Sequence, residues 1–422
     1  MQLDKPYSTW RRAVKILIAN LGSTSFKYRL FDLDGAGAAL LAEGGFERAT
    51  DYAPCIESML DSLQRGGHLA AREEIEAVGF KTVLGKNLSG CVEGDDRVLE
   101  ALNGFEEVAP AHNPAYAEGI RCFRDALPQA RRVALFETAF HQWVDPVARE
   151  YAVPRSWRDI GIRRYGFHGA SHKYVAERTA ELLSHEALAD RTRRLYVDGP
   201  GQWTGSSLRI ISCHLGGSSS VAGIKNGIAM GISMGFSPQS GLPQNNRVGD
   251  LDAMAVPYAC KALGLTLEEA ERELSTRGGL LGLSEVSNDL RDIRKAAARG
   301  NSRAQFALDF LVDSIRHWAG SFFFKMGGAD AICFTGGIGE NGPDIRAKVC
   351  AGLENFGLSI DAGRNAALPS GGEGFISTED STFKALVIPA NEELVVAREV
   401  YRKLIRDKGA KAHRDKGGNG DN

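Results

Sequence analysis

Apolar residues along this chain fall into short continuous runs separated by polar turns, interleaved with longer stretches of helical period. That pattern predicts alternating strands and helices. An apolar run from Val14 to Ile18 leads into a turn rich in Gly and hydroxyl groups, with Asn20, Ser23, Thr24 and Ser25. A second strand-like run, Tyr28 to Phe31, follows at once. Val78 to Val83 and Arg132 to Phe136 read as short buried strands, and Glu118 to Ala126 and Ser171 to Leu183 as helices. Ala304 to Met326 is the most apolar helical stretch, but Asp309, Asp313, Arg316, His317 and Lys325 interrupt it. It predicts a buried amphipathic helix and not a membrane span. Residues 1–12 read as a loose arm, 408–422 as a polar, Gly-rich flexible tail, and 190–206 as a surface insertion.

Leu208 to Met230 repeats the opening pattern about 190 residues later: strand, Gly and Ser turn, strand, tight turn, strand. Asn226-Gly227 in this stretch is a strong signal for a type I′ hairpin. Two copies of one strand–turn–strand unit predict two similar α/β domains with a nucleotide between them, against the plainer reading of two unrelated hairpins.

The turns carry the candidate chemistry. A strand, a hydroxyl-lined turn and a Lys at the next strand start is one way to hold a phosphate. The turn offers backbone N–H groups and Lys27 a point charge. It is no Walker-A loop, since it leads into a strand and lacks GxxxxGK[ST]; alone, it could also be an ordinary hairpin. Ala331 to Asn341 reads AICFTGGIGEN, a strand running into a Gly-rich turn that lets a flat base or a ribose come close. Pro343 after it suits a first helical turn. In RYGFHGASH, His168 is flanked by glycine and could donate to a phosphoryl oxygen. Arg247 lies on the loop Met234 to Asp252, where a guanidinium can stabilise a phosphoryl group in transfer. Glu137, in FETAFH after a strand, is a candidate carboxylate for metal or acceptor positioning, or simply a helix-start Glu. Glu392, in PANEEL, opens the last helix and could hold magnesium through water.

Composition narrows the classes. A chain of 422 residues exceeds one core, so two domains are the default. A net charge of -2 implies no general attraction to nucleic acid. The seven cysteines have no CxxC spacing and are odd in number, which argues against a disulfide framework or a zinc site and for a reducing compartment. The first residues, MQLDKPYSTWRR, lack the apolar core of a signal peptide, so the expected setting is cytoplasmic.

Taken together, the motifs resemble the acetate kinase family, also called acetate/propionate kinases, within the superfamily of sugar kinases, heat-shock ATPases and actin. They are Asn20 to Lys27, HNPA at His112, RYGFHG at Arg164, HLG at His214, GGIGEN at Gly336 and NEEL at Asn391, in the family's order from about Val14 to Ile405. The resemblance implies an α/β fold of two similar ribonuclease H-like, actin-like ATPase domains facing a nucleotide cleft. It implies an N-terminal domain over 13–163 plus 394–407 and a nucleotide-binding domain over 164–393. It also implies reversible phosphoryl transfer from ATP to a short-chain carboxylate, giving an acyl phosphate and ADP, with Mg2+ and a homodimer, and without nucleic acid or membrane.

By the same resemblance Asn20 and Glu392 are metal positions, Lys27 is a phosphate contact, and Glu137, His168 and Arg247 form the catalytic set. Nucleotide contacts fall on His214, Leu215, Gly216, Gly217, Ser218, Asp289, Leu290, Arg291, Gly336, Gly337, Ile338, Gly339, Glu340 and Asn341. The acceptor side falls on Lys81, His112, Val83, Ala111, Phe167 and Pro238. Four positions depart from the family pattern: Lys81 stands for an Arg, Glu137 for an Asp, PQNNR precedes and includes Arg247 in place of MMGTR, and Gly217 stands for an Asn. Ala111, where Leu is common, leaves room for added methylenes, each worth roughly 0.8 kcal/mol when buried. Three readings compete: another phosphoryl donor such as pyrophosphate, a nucleotide-binding relative without turnover, and a sugar or glycerol kinase using Glu137 as base.

Overall fold

The computed structural model describes residues 13–22, 25–34, 37–49, 51–108 and 112–417. Ser23 and Thr24 of the opening turn, Ala111, residues 1–12 and residues 418–422 lie outside this set. The chain divides into two compact units, one of residues 1–142, 194–199 and 391–422, the other of residues 143–193 and 200–390.

The first unit is built on six strands: β1 (Val14–Gly22), β2 (Ser25–Leu33), β3 (Ala38–Glu47), β4 (Ile75–Thr82), β5 (Cys91–Glu93) and β6 (Arg131–Phe136). Their spatial order is β3-β2-β1-β4-β6-β5. The first three form an antiparallel meander, β4 and β6 add in parallel, and β5 closes the edge antiparallel to β6. The second unit holds β7 (Arg209–Leu215), β8 (Ser219–Lys225), β9 (Ile228–Ile232), β10 (Ala331–Thr335), β11 (Gly374–Phe375) and β12 (Lys384–Val387). Read from β9, its order is β9-β8-β7-β10-β12-β11. Meander, two parallel additions and an antiparallel edge recur in the same sequence. The duplicated α/β architecture expected from the repeat is therefore present. Asn226 and Gly227 both take positive φ, 53° and 78°, as the tight β8–β9 turn requires.

Each sheet is covered by helices whose apolar faces the sequence period foretells. In the first unit, Phe123 of the helix Asn113–Ala126 meets Phe26 and Phe80 edge-on, with centroids 6.0 and 5.5 Å away. In the second, the helix Ser302–Met326 joins Leu308, Leu311, Ile315 and Phe322 to Ile211, Val221 and Phe334 in one core. Asn301 caps it, accepting from Ala304 N at 2.9 Å, and Gly327 ends it at φ 72°. Among the described residues no helix is long and apolar enough to cross a membrane.

Three segments differ from the sequence expectation. Residues 143–163 group with the second unit, where the Tyr151 hydroxyl oxygen accepts from Phe236 N at 3.0 Å. The stretch 190–206 is no loose insertion. It holds the end of a helix Glu186–Arg193 and a helix Leu195–Asp198, with Thr192 and Leu195 buried, and Arg191 donates to the carbonyls of Asn226 and Pro200. Arg191 serves backbone carbonyls and Arg193 pairs with Glu181 and Asp190, which a hydropathy pattern does not reveal. The last helix, Glu392–Gly417, continues through 408–417, where Ala and Lys are good helix formers.

Asn113 holds the local structure before the helix it begins. Fully buried, its amide donates to the carbonyls of Leu84 at 2.9 Å, Leu102 at 3.0 Å and Phe105 at 3.2 Å. Asn113→Ala strands these buried carbonyls and is expected to cost about 2–4 kcal/mol. The urea-unfolding midpoint, read by circular dichroism, checks this; an unchanged midpoint would contradict it.

Candidate functional site

Ligand groups in α/β proteins gather where parallel strands end. In the first unit, Asn20 lies near the end of β1, Lys81 near the end of β4, and Glu137 just after β6, its amide bonded to Thr82 O at 2.8 Å. Asn20 and Lys27 are direct partners across the β1–β2 ladder, so both sit within strands and not in the turn. The hydroxyl of buried Tyr116 donates to Asn20 Oδ1 at 3.1 Å. A cavity of about 290 Å³ beside them is bordered by Asn20, Lys27, Tyr28, Arg29 and Glu393.

Lys81 sits between two carboxylates, 3.0 Å from Glu137 and hydrogen-bonded to Glu392. Burial alone would pull its ammonium down, but Glu137 and then Glu392 outweigh that and hold its pKa well above the ordinary lysine value. Burial raises the Tyr116 phenol, so it stays a neutral donor. Lys81 and Glu392, expected at the acceptor and at the metal, are thus directly paired. His112 is the residue before the helix Asn113–Ala126, its carbonyl accepting from Tyr116 N at 3.1 Å. Val83 is buried.

In the second unit, parallel pairing of β7 with β10 sets His214 opposite Thr335. The turn Gly216-Gly217-Ser218 and the helix Gly336–Asn341 therefore begin side by side. Gly336 has φ 77°, and a Cβ there would stand 2.7 Å from Leu215 O, so only glycine fits. At Gly337 nothing lies within 4 Å of a built Cβ, leaving open space over the backbone. Other members of the run are occupied internally: Glu340 accepts from Ala390 N at 2.9 Å, Asn341 donates to Gly337 O at 3.0 Å, and Ile338 packs against the core. The fully buried Arg346 donates to the carbonyls of Gly339, at 2.8 Å, and Glu340, at 2.6 Å, and so caps this short helix. Leu215 and Leu290 are core residues. Asp289 caps the helix Leu290–Ala298, and Arg291's guanidinium on its carboxylate, with the Arg291 backbone N–H, lowers its pKa to about 2.

His168 takes a left-handed φ of 56° before the helix Gly169–Leu182. Its ring centroid lies 4.2 Å from that of His214. Ser220 Oγ stands 2.8 Å from His168 Nδ1 and 2.8 Å from Nε2 of the buried His172. Phe167, beside His168, is buried.

Gln244 ties the remaining parts together. Its oxygen accepts from Arg247 at 3.2 Å and from Ser218 at 2.8 Å, and its amide donates to Pro238 O at 2.5 Å. Burial pulls the Arg247 pKa down, though a guanidinium stays charged. Asn245 N donates to Gly217 O at 3.2 Å, and its amide nitrogen lies 3.2 Å from where a Cβ on Gly217 would be. Sequence reasoning missed Gln244, Asn245, His172, Ser220 and Arg346. The first two lay in the stretch PQNNR, read only as a departure; His172 and Ser220 fall at helical and strand positions indistinguishable from core.

The duplicated α/β fold thus carries strand-end oxygen and ammonium groups in one unit and a glycine-lined turn with histidines and an arginine in the other. The model of the Acetokinase family matches residues 40–398. The acetate kinase of Geobacillus kaustophilus is 39% identical over 412 residues, covering 92% of this chain and 98% of that protein. The crystal structure of Porphyromonas gingivalis acetate kinase superposes with a TM-score of 0.83 at 33% identity, covering 93% of this chain and 100% of that one. A propionate kinase from Francisella tularensis gives 0.76 at 30% identity, over 92% and 98%. The chain belongs to the acetokinase family.

The Lys81 group has a direct energetic test. Lys81→Met leaves Glu137 and Glu392 without their shared cation and is expected to lower stability by about 3 kcal/mol. Adding Glu137→Gln should recover most of that loss. Urea titrations of the two variants read the coupling; equal losses would show that Glu137 is not coupled to Lys81.

Proposed function

We propose that this chain transfers the γ-phosphoryl group of ATP reversibly to acetate or another short-chain carboxylate, giving acyl phosphate and ADP. One observation carries the reading: Gln244 binds both Arg247 and Ser218, so the guanidinium is held at a fixed place relative to the phosphate turn. A carboxylate is already a nucleophile at neutral pH, so no strong base is required. The protein must instead align two anions and neutralise charge on the moving group. Arg247 and the His168 ring serve that charge. The Gly216–Ser218 turn and the backbone at Gly337 receive the nucleotide, with Asp289 and Arg291 at its edge. In the first unit, Lys27 adds a phosphate contact, and Lys81, His112 and Val83 serve the acceptor.

Magnesium belongs to this reading. The Asn20 amide oxygen and the Glu392 carboxylate, with Glu137 nearby, are hard oxygen donors suited to it. Among the described residues no three His, Cys, Asp or Glu side chains form a cage, which agrees with an ion held partly by phosphates and water. Bound there, it would neutralise phosphate charge.

The likeness to both an acetate kinase and a propionate kinase supports acceptance of both acids. With purified protein and MgATP, acyl phosphate trapped as hydroxamate is expected from acetate and propionate at rates within a few-fold, as one methylene offers only roughly 0.8 kcal/mol. Arg247→Ala is expected to lose on the order of a thousandfold or more. No product from any acid would overturn the reading; a strict acetate preference would overturn the wide acceptor pocket.

The same reading includes a cytoplasmic homodimer. Its support is the helix Ala255–Leu263, which has no buried residue, together with Tyr258 at 75% and Leu263 at 69% exposure. An apolar face of that kind marks an association surface. Light scattering should give twice the chain mass of 45.6 kDa, and Tyr258→Glu with Leu263→Glu should halve it. A wild-type monomer would refute the dimer.

A further inference from the structure

The histidines beside the phosphate turn are joined by serines whose protons can go only one way. Ser212, Ser220 and His172 are fully buried. Ser212 Oγ stands 2.8 Å from His172 Nδ1, and Ser220 Oγ stands 2.8 Å from both His172 Nε2 and His168 Nδ1. Ser212 Oγ has no other hydrogen-bond partner among the described residues. Were His172 Nδ1 to donate to it, the serine proton would be buried without an acceptor, a costly arrangement. Ser212 O–H therefore donates to His172 Nδ1. A neutral imidazole carries one N–H, so His172 holds its hydrogen on Nε2 and donates to Ser220 Oγ. Ser220 then turns its own hydrogen to His168 Nδ1, and His168 keeps its hydrogen on Nε2.

The neighbouring ring obeys the same logic independently. Buried Ser171 has His214 Nδ1, at 2.8 Å, as its hydrogen-bond partner, so its hydroxyl donates there and His214 bears an Nε2 hydrogen. His214 Nε2 is 4.0 Å from where a Cβ on Gly216 would lie, so that edge faces the phosphate turn.

We propose that Ser212, His172 and Ser220 form a relay that fixes His168 as the neutral Nε2–H tautomer, an N–H donor to an anionic ligand. These three are positioning residues; they act through His168 and do not touch the reacting group. The use of the relay rests on the function proposed above, whereas the tautomer itself does not.

Long-range proton–nitrogen NMR of protein labelled in histidine nitrogen reads the tautomer directly, with His168→Asn and His172→Gln assigning the signals. The expected wild-type result is Nε2–H at His168 and at His172. Ser212→Ala should shift both toward a tautomer mixture and lower kcat about tenfold, with KM for MgATP within twofold. Ser212→Thr, which keeps the hydroxyl, should restore both; Ser220→Ala should disturb His168 alone. An Nδ1–H signal at His168 in the wild type, or an unchanged spectrum in Ser212→Ala, overturns the relay. Full turnover in His168→Asn with the expected wild-type spectrum would leave the relay standing and overturn the catalytic reading of His168.

Discussion

Thr335 pairs with His214 across β10 and β7, and Thr82 with Phe136 across β6 and β4. Each pair sits at the last rung of a parallel ladder, and the chemistry begins one residue beyond it. Parallel strands run in the same direction, so their ends align and the segments that follow emerge together. Glu137 follows Phe136, and Gly336 follows Thr335. In the first sheet this gathers a carboxylate, an ammonium and an amide oxygen; in the second, a histidine and a run of glycines. A shift of either register by one residue would turn Lys81 or His214 to the other face of its sheet. The buried cores that set the register thus also set the positions of the polar groups.

The two units handle charge differently. In the first, ions oppose ions: Lys81 between Glu137 and Glu392 is an arrangement whose desolvation is repaid only when each charge has its partner. In the second, most of the polar groups about the glycine turn are neutral. Serine hydroxyls, imidazoles and backbone N–H groups surround the turn, with Arg247 as the guanidinium held by Gln244. Neutral dipoles fixed in place cost little reorganisation when charge develops on a ligand. Such a division suits a reaction between two anions.

Much of the fold was legible in the sequence because it rests on periodicity and turn chemistry. Asn226-Gly227 foretold its hairpin since both residues tolerate positive φ, and the repeated strand–turn–strand unit foretold two sheets of one order. What stayed hidden depends on partners far apart in sequence. Nothing local in Asn113 announces that its amide reaches Leu84, and nothing in Arg346 that it caps the GGIGEN helix. The polar stretch 190–206 looked like an insertion because hydropathy cannot distinguish a solvated arginine from one bound to backbone carbonyls. Within the candidate site, residues of evident chemical type were found. Those that hold them, such as Gln244 and Ser220, were not, because a buried Gln or Ser carries no signature.

The departures from the family pattern look different once the packing is known. Gly217 removes a side-chain amide from the phosphate turn, yet Asn245 brings another amide against the same backbone and bonds to Gly217 O. A side chain at 217 would press on Asn245, so the two changes fit one another sterically. Gln244, from the same altered stretch, holds Arg247 and Ser218 at once. The loop and the turn therefore pack against each other as one unit. Lys81 and Glu137 also meet, at 3.0 Å, although lysine cannot form the two-pronged bond of an arginine. A single ammonium shared by Glu137 and Glu392 is less directional than a guanidinium fork. If Lys81 meets the acceptor as proposed, selectivity for the acid falls to shape, where each methylene weighs little, and not to a rigid polar clamp.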